Sequence, residues 1–124
     1  MIFIFNNNQS DDLGIIITSS NHLDRFKKRR EFIQVPGRTG DLVLDDGSYE
    51  NLELEITCVI EDEDNIDERL KHIEKWLKTN DYSLLEFDDG VRFSAIYMEM
   101  KEMRKIIKNV VECKIVFSCK KEVD

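Results

Sequence analysis

Asp45-Asp46-Gly47 and Asp88-Asp89-Gly90 each set two carboxylates side by side, a pairing that supports acid–base chemistry when one member is desolvated. Between apolar runs, however, Asp-Asp-Gly is also what a tight turn requires, and turns are wet, so both are read as turns. The acidic run Glu61-Asp62-Glu63-Asp64 lacks the glycine and terminal glutamate of a calcium loop and reads as a solvated approach to a helix. Gly37-Arg38-Thr39-Gly40 has spacing suited to a phosphate, but no lysine-serine/threonine pair follows it as in a Walker A loop. It matches the GxxG of KH domains in form only, because its flanks read as strands and Asp41, Asp45 and Asp46 follow at once. Cys58, Cys113 and Cys119 make no CxxC pair, and with His22 and His72 no zinc spacing. Cys113 and Cys119 share one strand, which separates them by ~20 Å and excludes a bridge between them. They read as small core residues of a reducing cytosol, with a pairing of Cys58 to either left open. No serine or cysteine has a histidine in a recognisable nucleophile signature. No residue is therefore assigned to catalysis, to a cofactor or to a metal.

One chemical feature remains. Arg25, Lys27, Lys28, Arg29 and Arg30 crowd together in a chain whose 124 residues carry a formal charge of -8. Three readings stand: an arm for nucleic acid or an acidic partner, a patch that meets the acidic surface of a neighbouring copy, or a solvated strand edge. The acidic balance repels phosphate backbones and anionic lipid at long range. No apolar run approaches the ~20 residues of a spanning helix, and Met1–Phe5 is too short for a signal core, so a soluble protein without a secretion address is expected.

The elements that must position these residues follow from periodicity. At 41% hydrophobic residues the chain can bury a core, and its length suits one domain, residues 1–124. Ile2–Phe5 and Leu13–Thr18 are short β-branched runs separated by the polar Asn6–Asp12, and Glu31–Val35 is a third. Pro36 and the two glycines after it end regular structure there. In Asn51–Ile60, Leu52, Leu54, Ile56, Cys58 and Ile60 fall on one face and Glu53, Glu55 and Thr57 on the other. The spacing of Ile66, Leu70, Ile73 and Leu77 predicts a helix over 66–79, with Trp76 widening its stripe. Asn65 and Glu68 form a capping box at its start and Asn80 a left-handed stop at its end. Tyr82–Phe87, Val91–Met100 and Val111–Cys119 complete the strands, with Asp88-Asp89-Gly90 as a hairpin turn and Lys101–Lys105 as a charged break. The class is α+β: a mainly antiparallel β-sandwich or split barrel with one amphipathic helix. Leu70 is expected in the core, and Trp76 either in the core or against a neighbouring subunit.

The stretch from Glu31 to Leu42, with Pro36-Gly37-Arg38-Thr39-Gly40 at its centre, resembles a pattern in the N-terminal domain of distal tail proteins of long, non-contractile-tailed phages. Tyr49 and Asn51 before the long alternating strand, Trp76-Leu77 ending the helix, Tyr82-Ser83-Leu84, the acidic turn and Arg92–Tyr97 follow in that family's order. The likeness runs over about residues 1 to 120, and the Pro-Gly-Arg-x-Gly turn (Pro36, Gly37, Arg38, Gly40) is its most specific part. It implies a structural, non-enzymatic component of a phage or prophage tail, made in the bacterial host cytoplasm and carried on the virion tail. It further implies a homo-hexameric ring joining the tail tube protein to tail-tip, tape-measure or baseplate proteins, with DNA passing through. Arg25, Lys27, Lys28, Arg29, Arg30 and Arg38 are then the candidate subunit interface. No cofactor, membrane or sequence-specific nucleic acid is expected. Many members carry a second, carbohydrate-binding-like domain after this one, so the chain reads as a short or cut-down member. The alternative is a small binding module that uses Arg25–Arg30 on nucleic acid or an acidic protein, with a hydrolase behind it.

Overall fold

The computed structural model describes residues 1–121, so positions 122–124 lie outside the described residues. In chain order the elements are β1 (Phe3–Phe5), β2 (Asn8–Gln9), a 3-10 turn (Asp11–Leu13), β3 (Ile15–Ser20), β4 (Lys28–Ile33) and β5 (Leu42–Tyr49). Then come β6 (Leu52–Glu61), α1 (Ile66–Leu77), β7 (Ser83–Phe87), β8 (Arg92–Ile107) and β9 (Val110–Lys120). Among the described residues seven strands form one antiparallel sheet in the order β2-β1-β7-β8-β9-β6-β3, and β4 pairs only with β5. The chain is thus α+β, mostly antiparallel strand with a single helix among the described residues.

Alternation, interrupted on β9 where Val116 is buried as well, makes the centre of the sheet. Leu54, Ile56, Cys58 and Ile60 of β6 are buried, as are Val111, Cys113, Ile115, Phe117 and Cys119 opposite them on β9. Cys58 and Cys113 are direct cross-strand partners with Sγ atoms 3.7 Å apart, both free. The contact with the Cys113 thiol, then burial, pushes the Cys58 thiol far up, and burial pushes that of Cys119 up to about 12, which keeps both as inert apolar groups.

The sheet is rolled. Its outermost strands, β2 and β3, are joined by only Ser10–Gly14, a reach of roughly 20 Å at most if extended. Seven strands laid flat would place them about 29 Å apart at ~4.8 Å per gap. Curling brings both edges to one side of the core, and Ser10 fastens the join. Its hydroxyl accepts from the Phe3 amide at 3.0 Å, its own amide donates to Phe3, and its carbonyl accepts from Ile15. Gly14 completes the connection at φ +78°, where its carbonyl accepts from the Glu61 amide. Leu13, expected in a strand, instead ends the 3-10 turn with its side chain buried.

The helix α1 covers the mouth of this curl. Ile66, Ile73, Trp76 and Leu77 are buried. Trp76 stacks on Phe3 and donates its indole N–H to the Phe5 carbonyl at 2.7 Å, so it belongs to the core of the chain itself. Leu70 lies at the margin of the stripe and is only partly buried, a correction to its expected place. The Asn65 side chain caps the amides of Asp67 and Glu68, while the Asn65 amide goes to Asp62 in place of Glu68. The helix stops at Leu77 with Lys78 extended, because the chain must turn at once into β7; Asn80 makes no left-handed stop.

Two further expectations are corrected. Lys101–Lys105 does not break β8, which runs on to Ile107 paired with β9 through three irregularities. The first leaves Met98 without a partner between Tyr97↔Phe117 and Glu99↔Val116, and so returns Met100 to the core face opposite Ile115. The charges that suggested a break pair across the sheet: Lys101 with Glu55 at 2.9 Å, Lys114 with Glu102 at 3.0 Å, Arg104 with Glu112 at 3.4 Å. Asp45-Asp46-Gly47 is not a hairpin turn either but a bulge inside β5, between Arg30↔Asp45 and Lys28↔Tyr49.

Chemical denaturation checks this packing. Ile73→Ala should cost about 2–5 kcal/mol, Leu70→Ala about 1–2 and Lys71→Ala well under ~1. Gly14→Ala should cost roughly 2–4 kcal/mol, since strain at positive φ adds to a collision with a backbone oxygen. That oxygen, on Glu61, lies 2.6 Å from where the new Cβ would sit. Equal losses at Ile73 and Lys71 would mean that the apolar stripe of α1 faces elsewhere.

Candidate functional site

The β4–β5 hairpin stands off the core because its sequence gives it nothing to pack beneath. Every residue from Leu23 to Gly47 except Phe26 is exposed. Its apolar residues are exposed too: Phe32 at 61%, Val43 at 48%, Leu44 at 46%, with Ile33, Val35 and Leu42 at 38%. Pairing puts Phe32 beside Val43 on one face and Ile33 beside Leu42 on the other. The result is a two-stranded ribbon with apolar residues on both faces and, among the described residues, unpaired outer edges, the kind of surface that isolated domains usually cover.

Its tip is the sequence-defined turn. Arg38 N–H donates to the Val35 carbonyl at 3.1 Å, with Pro36 second and Gly37 third at φ +78°, the arrangement of a type II turn. Gly40 also lies at positive φ, +83°. Arg38 is exposed at the far end.

The root is fixed at both ends. The Asn21 side chain continues the sheet, donating to the Glu53 carbonyl at 3.0 Å and accepting from the Glu55 amide at 2.8 Å. His22 is buried, stacked on Phe87, and donates from Nε2 to Asp89 at 2.7 Å; its Nδ1 has no partner among the described residues. That bond, with the Val91 amide, holds the Asp89 carboxyl below its ordinary value. Phe26 then tucks against Phe93. On the return side Asn51 donates to the Tyr82 hydroxyl and to Ser118. The hairpin is thus a projecting arm on a rigid base.

The structure divides the basic residues. Lys28 and Arg30 lie in β4 and hold Asp45 from across the pair, at 3.6 and 3.0 Å. The Gly47 amide, then Arg30, lower the Asp45 carboxyl, and the Ser48 hydroxyl lowers that of Asp46. Arg25, Lys27, Arg29 and Arg38 form no ion pair among the described residues. Arg38 stands at the tip while the Arg25–Arg30 run lies at the base of the arm and along β4, so the candidates occupy one element without converging on a point. The apolar residues went unassigned in the sequence, although Leu42-Val43-Leu44 carried a strand signal that the Asp-Asp-Gly beside it obscured. Among the described residues no three His, Cys, Asp or Glu side chains gather as metal ligands, and no helix is long and apolar enough to cross a membrane.

A family model described as "Phage tail protein N-terminal domain" matches residues 1–121. The chain belongs to this family. A solved structure of similar fold is that of the SPP1 Dit protein, described as a paradigm of the hub adsorption apparatus in phages infecting Gram-positive bacteria. It superposes with a TM-score of 0.81 at 11% identity, over 95% of this chain and 49% of that one. The tail-protein domain therefore spans about half the length of that relative, and the likeness is one of fold. No curated protein sequence matches the chain significantly.

The arm of the tail-protein domain yields a prediction. Gly37→Val and Gly40→Val strain positive-φ positions, but apart from the chain neighbours nothing among the described residues lies within 4 Å of where either new Cβ would sit, so the strain stays local. Melting of the core should shift little, while amide exchange in β4 and β5 accelerates roughly tenfold or more, about 1.4 kcal/mol of local opening. Unchanged exchange in both variants would show that the turn does not need its glycines.

Proposed function

We propose that the chain is a non-enzymatic structural ring hub of a phage or prophage tail, joining the tail tube to the tip or baseplate and letting DNA pass. One observation carries the reading: a root held by hydrogen bonds carries an arm with apolar residues on both faces, in a family of tail proteins. Copies assemble as a closed homo-oligomer, most simply a hexamer, through the arm and its cations Arg25, Lys27, Lys28, Arg29, Arg30 and Arg38. Closure covers the apolar ribbon and the edges of its strands, which a lone subunit leaves in water. Residues 1–124 act as one domain, with tail tube and tail-tip or tape-measure proteins on the two faces of the ring. The virion tail is its place, after synthesis in the host cytoplasm.

The contrasting reading, a module that grips nucleic acid with Arg25–Arg30, is weakened by Asp45 and Asp46, which face those cations within the same ribbon. Scattering and native mass measurements over a concentration series, set beside DNA binding at low salt, separate the two. Assembly predicts species above the monomer, weakened by Arg38→Ala with melting unchanged. A chain that stays monomeric and binds duplex DNA with a steep salt dependence would establish the module instead.

A further inference from the structure

A second surface of the same chain complements the arm in charge and in apolar character. Between α1 and the bulged half of β8 runs a groove of about 390 Å³ lined by Asp67, Leu70, Lys71, Glu74, Met100 and Met103. Its apolar wall is the margin that the core leaves uncovered: Leu70 and Met100 are partly buried, and Met103 is 46% exposed. Methionines adapt their shape to an incoming ring and make favourable sulfur–aromatic contacts. Two carboxylates, Asp67 and Glu74, stand on the rim, and the segment Glu61–Glu68 beside it carries six carboxylates and no cation. The arm has the opposite character. Residues 25–49 hold six cations against four carboxylates in a chain of net charge -8, and Phe32, their most exposed aromatic side chain, projects from the same strand face as Arg30.

We infer that the groove between α1 and β8 receives the β4–β5 arm of a second copy, with Phe32 seated on Leu70, Met100 and Met103 and Arg30 turned towards Glu74 and Asp67. Arm and groove are different surfaces of one chain, so the contact is head-to-tail, and repeated contacts of that kind close into a ring or run on as a filament. The inference rests on the ring reading and adds to it which surface takes up the arm.

Disulfide trapping tests it, because Cys58, Cys113 and Cys119 are buried and stay out of the reaction. Val43→Cys lies beside Phe32 on the arm and Lys71→Cys on the groove wall; Phe32, Leu70, Met100 and Met103 all stay in place. Oxidised glutathione takes up the two electrons and protons as the inter-chain bond forms. A mixture of the two variants should give roughly tenfold or more covalent dimer than either alone, since docking raises the local concentration of the paired thiols. Adding Phe32→Asp to the arm variant should abolish the excess while melting is unchanged. If oligomers form by scattering but the mixture traps no better than the single variants, the groove is wrong and the ring reading stands. Trapping between two Val43→Cys chains would show arm against arm and overturn the inference likewise. A parent chain that remains monomeric at every concentration would defeat the ring reading, and this inference with it.

Discussion

The pairing of β6 with β9 is ten residue pairs long, from Leu52↔Cys119 to Glu61↔Val110, and the rest of the subunit depends on its register. A slip of one residue would turn Leu54, Ile56, Cys58 and Ile60 to water and bring Glu53, Glu55 and Thr57 inside. With that register set, β8 must pass its bulge at Met98 to keep Met100 on the core face, and the roll of the sheet presents Phe3 and Phe5 to Trp76 and Phe117. The Trp76 indole bond to Phe5 then seats the helix. Charge on the outer face follows the same pattern: Lys101 and Lys114 flank Glu55, and the bond from Lys101 lowers its carboxyl.

Because the core is satisfied by the seven-stranded sheet and α1, the β4–β5 ribbon adds nothing to it. A two-stranded ribbon alone is marginal in water, so its order depends on the clamped root and, in the assembly proposed here, on a neighbour. Asn21, His22 and Asn51 stiffen the base without touching the tip. That division suits the proposed role: the chain folds by its own core and leaves a separate element for the neighbour proposed to cover it. It also explains how charged and apolar residues coexist on the ribbon, since Asp45 restrains Lys28 and Arg30 while Phe32 and Val43 stay free.

Where one rule dominated, the sequence was legible. The alternation of β6 and β9, the capped helix, the Asp88-Asp89-Gly90 turn and the Pro36–Gly40 turn each follow from periodicity or from the φ a turn demands. Errors came where two rules competed. Asp45-Asp46-Gly47 looks like a hairpin turn, yet the partner strand continues opposite it, so the glycine makes a bulge and β5 was missed. Lys101–Lys105 looks like a break only until Glu55, Glu102 and Glu112 are placed beside it and its neighbours. Leu70 fits a helical stripe, but the sheet curves away beneath it, which periodicity cannot register. Of the candidate site, the turn and the cations could be read in the chain; the exposed apolar faces could not, because a strand's alternation does not say whether anything lies under it.

Hydrogen exchange measured residue by residue against protein concentration tests the central claim that the arm is the assembly surface. Amides in Lys28–Ile33 and Leu42–Tyr49 should exchange fast in dilute solution and gain protection as oligomers form, while β6 and β9 keep theirs throughout. Oligomers that form while the arm continues to exchange as fast as in the monomer would contradict it.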